Sequence, residues 1–417
     1  MVELYGEILP EPKLRFDYSS EAAEDTFSKR GLERYGPYDS ILLGKDKIKC
    51  IVLFPNHLSK EKKNLIDGLI KGEGTFKGFK NLFKIPLEFF EEVPFSSDTE
   101  IDILLDHIIS KNPDLVYILL NSKIQNLYKK VKLKLLANGI PSQMIIGEKI
   151  GNFNGRQYVL ENISLASYGK IGGTPWTIST KETENKLVLG VSRVQDDTGK
   201  YLVGFIALFN NDGDFLWMNS NAPIIEWDEY VDGLRVLVES AIKEYENIKG
   251  TPSTITIHFH KRPGKREIEA IENALKNTAK NIPYAIVHIN EYSNFRFFDS
   301  SHLSYTPPKG LCVSLSSHES LILLDGRIGE KRSKIGVPRV LDVRIDKRST
   351  LDVNKFYDLF KQVYDFSYIN WRGFNAAAIP ITLNYSKLIA RMIIDLGVDN
   401  WNQIIAGGRL RDKAWFL

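Results

Sequence analysis

Apolar residues in the first third of the chain fall into short dense runs, separated by stretches where they recur every three or four positions. Lys47 to Phe54 (KIKCIVLF), Leu82 to Phe89 and Asp114 to Leu120 (DLVYILL) are the dense runs and read as buried strands. Ser59 to Lys71, Asp98 to Ser110 and Ile124 to Ala137 carry the helical spacing. Strand and helix therefore alternate, which predicts a mostly parallel sheet. After Gly172-Gly173 the rhythm changes. Lys186 to Val194, Tyr201 to Phe209 and Phe215 to Asn219 are successive strands, the last two joined by Asn210-Asn211-Asp212-Gly213, and predict an antiparallel meander. A helix at Trp227 to Glu246, a strand at Thr254 to Phe259, a helix at Lys265 to Lys280 and a strand at Tyr284 to Ile289 follow, with late helices at Val353 to Val363 and Tyr385 to Ile394.

The pattern predicts an α/β protein: a Rossmann-like domain followed by an RNase H-like domain, since hairpin strands then a βαβ unit is the order of an RNase H-like core. At 417 residues and 43% apolar, the chain can bury two cores. The boundaries fall at an extension over 1–40, a first domain over 41–170 and a second over 171–417. No repeat or low-complexity tract interrupts them. Net charge is +3, from 55 basic and 52 acidic side chains, so nucleic-acid binding turns on where the charge sits. Cys50 and Cys312 stand far apart with no metal-binding spacing, which fits a reducing cytoplasm. The opening MVELYGEILPEPKLRF is charged where a leader is apolar, and no run reaches membrane-spanning length, so any membrane role is expected to be indirect.

Charge concentrates on the helix after DLVYILL, where five lysines lie between Lys123 and Lys134. Ile124, Leu127, Val131 and Leu135 form its core face; Tyr128 and Lys132, four apart, are neighbours on one side. Gln143 in Ile140-Pro141-Ser142-Gln143, and Asn162 and Lys170 eight apart on the next helix, are the polar residues placed to converge with them. A ring to stack on a terminal base, two ammonium groups and an amide make a pocket for a phosphorylated nucleic-acid end.

Tyr-x-x-x-Lys, then Pro-Ser-Gln, then Asn-to-Lys before Gly172-Gly173-Thr174-Pro175-Trp176, resembles the MID domain of prokaryotic Argonaute proteins. Asn370-Trp371-Arg372-Gly373-Phe374, Ile379-Pro380-Ile381-Thr382 and Trp415-Phe416-Leu417 resemble the PIWI domain of that family. The likeness runs from about Lys45 to the end, and is to short members without N and PAZ domains. It implies that Tyr128, Lys132, Gln143, Asn162 and Lys170 hold the 5′-phosphate and first base of a guide. It implies a structural divalent cation, Mg or Mn, on the carboxylate of Leu417, with Trp415 and Phe416 anchoring the tail. The partners it implies are guide RNA or DNA, a complementary target, and separately encoded accessory and effector proteins, membrane-associated ones among them. The process it implies is defence against plasmids or viruses.

Cutting members of the family use a carboxylate tetrad that holds two metal ions. Here Gly190 in Val188-Leu189-Gly190-Val191-Ser192-Arg193, His260 in Ile257-His258-Phe259-His260 and Lys387 in Asn384-Tyr385-Ser386-Lys387 fall at ligand positions. The expectation is a guide-directed binder without catalytic residues. The alternative is an endonuclease whose metal site has moved to Asp196, Asp197, Asp212 or Asp214; a His258 and His260 metal pair would lack a third ligand. Lys261, Arg262, Lys331, Arg332 and Arg372 are candidates to track a nucleic-acid backbone.

Overall fold

A computed structural model describes residues 4–39, 43–121, 125–180, 184–195, 202–221, 224–327, 336–397, 400 and 410–417. The chain divides into two units, neither of them one run of sequence. The first gathers Leu14–Thr177, Trp371–Phe374 and Met392–Leu417; the second gathers Met1–Lys13, Ile178–Asn370 and Asn375–Arg391.

Strand β1 (Gly6–Ile8) belongs to the second unit. In the first, β2 (Leu14–Arg15) and β3 (Glu24–Asp25) pair antiparallel and lead into α1 (Ser28–Tyr35). Then come β4 (Ile48–Pro55), α2 (Ser59–Lys71), α3 (Phe79–Phe83), β5 (Leu87–Phe95), α4 (Ile101–Ser110), β6 (Leu115–Leu120), α5 (Gln125–Ala137), β7 (Ser142–Ile146), α6 (Gly147–Gly151) and α7 (Arg156–Lys170). The sheet order is β5-β4-β6-β7 with every pair parallel. Strand β6 is buried at every position and β4 at all but Lys49, as strands covered on both faces must be. Leu127, Val131 and Leu135 of α5 join Leu105 and Ile108 of α4 in the core against one face. This is the Rossmann-like unit that the alternation predicts.

One expected strand is displaced. Leu82 to Phe89 begins as a helix: Phe79, Leu82 and Phe83 are buried at helical spacing in α3, Lys84 stops the helix at φ +60°, and the strand starts at Leu87. An apolar run this short is compatible with either structure, and the left-handed stop decides it.

Strand β8 (Thr177–Ile178) lies where the sequence passes between the units. The second unit contains β9 (Lys186–Gln195), β10 (Leu202–Asn210), β11 (Phe215–Ser220), α8 (Trp227–Lys249), β12 (Thr254–His260), α9 (Lys265–Thr278), β13 (Tyr284–Asn290), β14 (Leu311–Ser316), β15 (Glu319–Ile322), β16 (Leu341–Ile345), α10 (Phe356–Asp365) and α11 (Ile381–Leu396) as far as Arg391. Among the described residues they form a nine-stranded sheet, β1-β14-β15-β16-β13-β12-β9-β10-β11. The meander β9-β10-β11 is antiparallel, turning at Gly213 with φ +82°, and β12 runs parallel to both β9 and β13. On one sheet face α8 and α9 bury Leu234, Val238, Ile242, Ile268 and Ile271; on the other, Phe356, Phe360 and Val363 of α10 and Leu383 of α11 pack on β13 and β16. This is the RNase H-like layering, extended by β14, β15, β16 and β1.

Candidate nucleic-acid interface

The first unit brings two of the predicted lysines together in its interior. Lys132 on α5 and Lys170 on α7 are each 2% exposed. Both ammonium groups donate to one acceptor, the Ser142 carbonyl, at 3.0 and 3.1 Å. Lys170 Nζ also donates to Gln143 Oε1 at 2.7 Å, and Gln143 Nε2 donates to the Met144 carbonyl. Ser142 opens β7, the edge strand of its sheet, and its carbonyl accepts from the two helices instead of from a neighbouring strand. Among the described residues, no carboxylate pairs with either lysine.

Burial explains the electrostatics. It lowers the Lys132 ammonium to about 8, and holds Lys170 well below its ordinary value, with Lys132 and Arg372 adding repulsion. The Ser142 hydroxyl beside them is buried without a partner. Two desolvated cations sharing one neutral carbonyl form a site that an anion would complete.

Tyr128 is half-buried on α5, and burial raises its hydroxyl above the usual phenol range. Asn162 does not join the lysines: it is exposed on α7, two turns before Lys170, and its Oδ1 is 3.5 Å from where a Cβ on Gly373 would stand. Arg372 is exposed next to that glycine. Trp415, Phe416 and Leu417 are buried, and Gly169 leaves space for Leu417, whose Cδ1 a Cβ there would meet at 2.6 Å. Ser142 is the participant that sequence reasoning passed over, because its backbone oxygen and not its side chain does the gathering.

In the second unit, Gly190 and His260 share one face of the sheet, and Lys387 lies on α11 against that face. His258 on β12 is opposite Gly190 on β9. A Cβ on Gly190 would stand 2.2 Å from the Thr382 carbonyl oxygen and 2.9 Å from its Cα, so the α11 backbone fills the space a side chain would need. Thr382 Oγ1 also bonds His258 Nδ1 at 2.9 Å, and Ser386 Oγ donates to the Gly190 carbonyl at 3.3 Å. Burial drives the His258 imidazole down to about 3, leaving it neutral. One layer further along the strands, Lys387 pairs with Glu291. His260 is lowered to about 4 by burial and by Lys387.

Among the described residues, no group of three or more His, Cys, Asp or Glu is placed to hold a metal ion. Asp212 accepts from the Asp214 amide at 3.1 Å inside the β10-β11 turn. Asp196 and Asp197, and the basic pair Lys331 and Arg332, lie outside the described residues. Lys261 and Arg262 are exposed just beyond β12. No described helix is long and apolar enough to cross a membrane.

The Piwi domain family matches residues 115–396 of the chain. A Piwi protein of Archaeoglobus fulgidus is 27% identical over 409 residues, covering 93% of each chain. A protein argonaute of Cereibacter sphaeroides is 23% identical over 457 residues, covering 97% of this chain and 58% of its own. Among solved structures, Clostridium butyricum Argonaute bound to a guide DNA and a 19-mer target DNA matches with a TM-score of 0.75 at 19% identity, over 94% of this chain and 53% of that one. Drosophila Piwi matches with a TM-score of 0.74 at 15% identity, over 99% of this chain and 56% of that one. The chain thus spans a little over half the length of both solved structures, and at these identities the likeness is one of fold.

Proposed function

The chain belongs to the Piwi domain family, and from that premise we propose that it holds a 5′-phosphorylated guide, RNA or DNA, and recognises a complementary target without cutting it. The observation that carries the proposal is the pair Lys132 and Lys170, buried with no carboxylate paired to them among the described residues and converging on the Ser142 carbonyl. A phosphate would accept from both ammonium groups and from the Ser142 hydroxyl, and Gln143 would orient Lys170 toward it. Tyr128, one turn before Lys132, offers a ring to the first base. Asn162 and Arg372, side by side and exposed, would meet the guide beyond its end.

A divalent cation belongs to the proposal. The Ser142 and Gln143 oxygens already accept from the lysines, so Mg or Mn would be held by the carboxylate of Leu417, which packs at Gly169 next to Lys170, together with phosphate oxygens. Such an ion would neutralise adjacent anions; the lysines would carry the rest of the charge.

Three observations support a binder over a nuclease. Thr382 occupies the space beside Gly190, Lys387 sets a cation beside His260, and that cation is already paired with Glu291. A guide-loaded binder destroys nothing by itself, so separately encoded effector proteins, membrane-associated ones included, belong to the proposal, with defence against plasmids or viruses as the process.

The test is guide affinity with and without the 5′-phosphate. The phosphorylated guide should bind tighter by roughly 1.5–3 kcal/mol, the range for a hydrogen bond to a charged group, and Lys132→Met and Lys170→Met should each erase part of that difference. Equal affinity for a 5′-hydroxyl guide would refute the pocket. Cleavage of a complementary target with manganese present would refute the non-cutting half.

A further inference from the structure

We propose that the polar cluster at the carboxyl ends of β9, β12 and β13 is an anion site for one phosphodiester of the target strand, anchored by the Lys387 ammonium. The proposal rests on the guide-binding reading above. Strand alternation carries the geometry. His258 faces α11 opposite Gly190, so Ser192 and His260, each two residues further along, share that face. Ile289 on β13 is opposite His260, and Glu291 lies two residues on. Ser192, His260, Glu291 and Lys387 therefore collect in one layer. The layer beneath is sealed by the Thr382 backbone, so a ligand must enter from the strand ends.

The cluster is short of partners. Ser192 Oγ is buried with none, and so is His260 Nδ1. Lys387 has Glu291, and both side chains keep contact with solvent at 26% and 23% exposure. At the rim, Lys261 and Arg339 flank the Tyr292 ring at 5.6 and 5.9 Å, and that ring is 59% exposed. Lys387, Lys261 and Arg339 outnumber the carboxylates Glu291 and Asp325 among the described residues, which disfavours a metal ion and favours an anion. A phosphodiester presents two oxygens sharing one charge, matched to an ammonium and a hydroxyl. The exposed ring beside two cations gives an adjoining base or sugar a surface, which a free inorganic anion would not use. The site would convert degenerate metal-ligand positions into a grip on the strand.

The experiment uses the guide-loaded full chain and a series of target strands, each carrying one neutral methylphosphonate linkage. Wild type should lose about tenfold in affinity at one linkage, as expected for a charge-assisted contact. In Lys387→Met that linkage should become indifferent, and the slope of log affinity against log salt should fall by about one contact. Lys387→Arg should restore both. Lys261→Ala, on an exposed loop, should lower the salt slope without touching the packing of α11. If wild type binds its target and no linkage distinguishes it from Lys387→Met, the inference is overturned while guide binding stands. If the chain loads no guide, both readings fall.

Discussion

A buried lysine without a counter-charge is a cost that the fold bears until a ligand arrives, and this gives Lys132 a measurable pH signature. Its value in the fold is about 8 against an ordinary 10.5. Between those values the unfolded chain binds more protons than the folded one, so stability of the guide-free protein should rise with pH across that window. A bound phosphate favours the charged ammonium. The melting-temperature increment from a phosphorylated guide should therefore be largest below pH 8 and shrink toward pH 10. Lys132→Met should raise the melting temperature of the guide-free protein, since an apolar chain of similar length replaces an unpaired charge, and should flatten the pH dependence. An increment constant from pH 7 to 10 would contradict this. The convergence of Lys132, Gln143 and Lys170 was legible because helical spacing and a Pro-Ser-Gln turn are written in one dimension. The Ser142 carbonyl was not, since every residue has one and only tertiary structure selects it. Glu291 was missed because its neighbour Lys387 is 96 residues away.

At the scale of elements, α11 closes on β9. A helix backbone can approach a strand this closely only where the strand carries glycine, and Gly190 meets Thr382 at a distance no Cβ tolerates. Gly190→Asp alone should therefore not create a metal site. Displacing packed helix backbone is expected to cost roughly 1–3 kcal/mol, as overpacking does, and would also bury a carboxylate beside the neutral His258. The expected outcome is a protein with a lower denaturation midpoint and no manganese-dependent cleavage; target cleavage by this variant would show that the face is open. The sequence led to the expectation of an absent acid at Gly190, which is a statement about composition. That the space had been filled is a statement about packing, and needed the helix. The same limit explains α3, whose last residues Leu82 and Phe83 fall in the run Leu82 to Phe89 that reads as strand, whereas the left-handed Lys84 ends a helix there.

At the scale of the molecule, the chain crosses between units more than once, and its first segment belongs with strands far along the sequence. Gly6, Glu7 and Ile8 pair with Val313, Cys312 and Leu311, Leu9 N donates to the Gly310 carbonyl at 2.9 Å, and the Leu9 side chain is 1% exposed in the core beneath α10. Hydrophobic periodicity carries no signal for this, because a three-residue edge strand is too short to establish one. Its consequence is a role for the opening residues that sequence left undefined: β1 covers β14, which would otherwise offer its unpaired N–H and C=O groups to any passing strand. Leu9→Ala should cost about 2–4 kcal/mol, the range for a buried leucine, read as a lowered denaturation midpoint. Removal of residues 1–13 should add self-association, seen as a concentration-dependent shift in sedimentation, because it bares the edge as well as the cavity. Guide binding at Lys132 and Lys170, which lie in the other unit, should persist in Leu9→Ala wherever the protein remains folded. A variant that lost guide affinity in proportion to its lost stability would mean instead that the two units unfold as one.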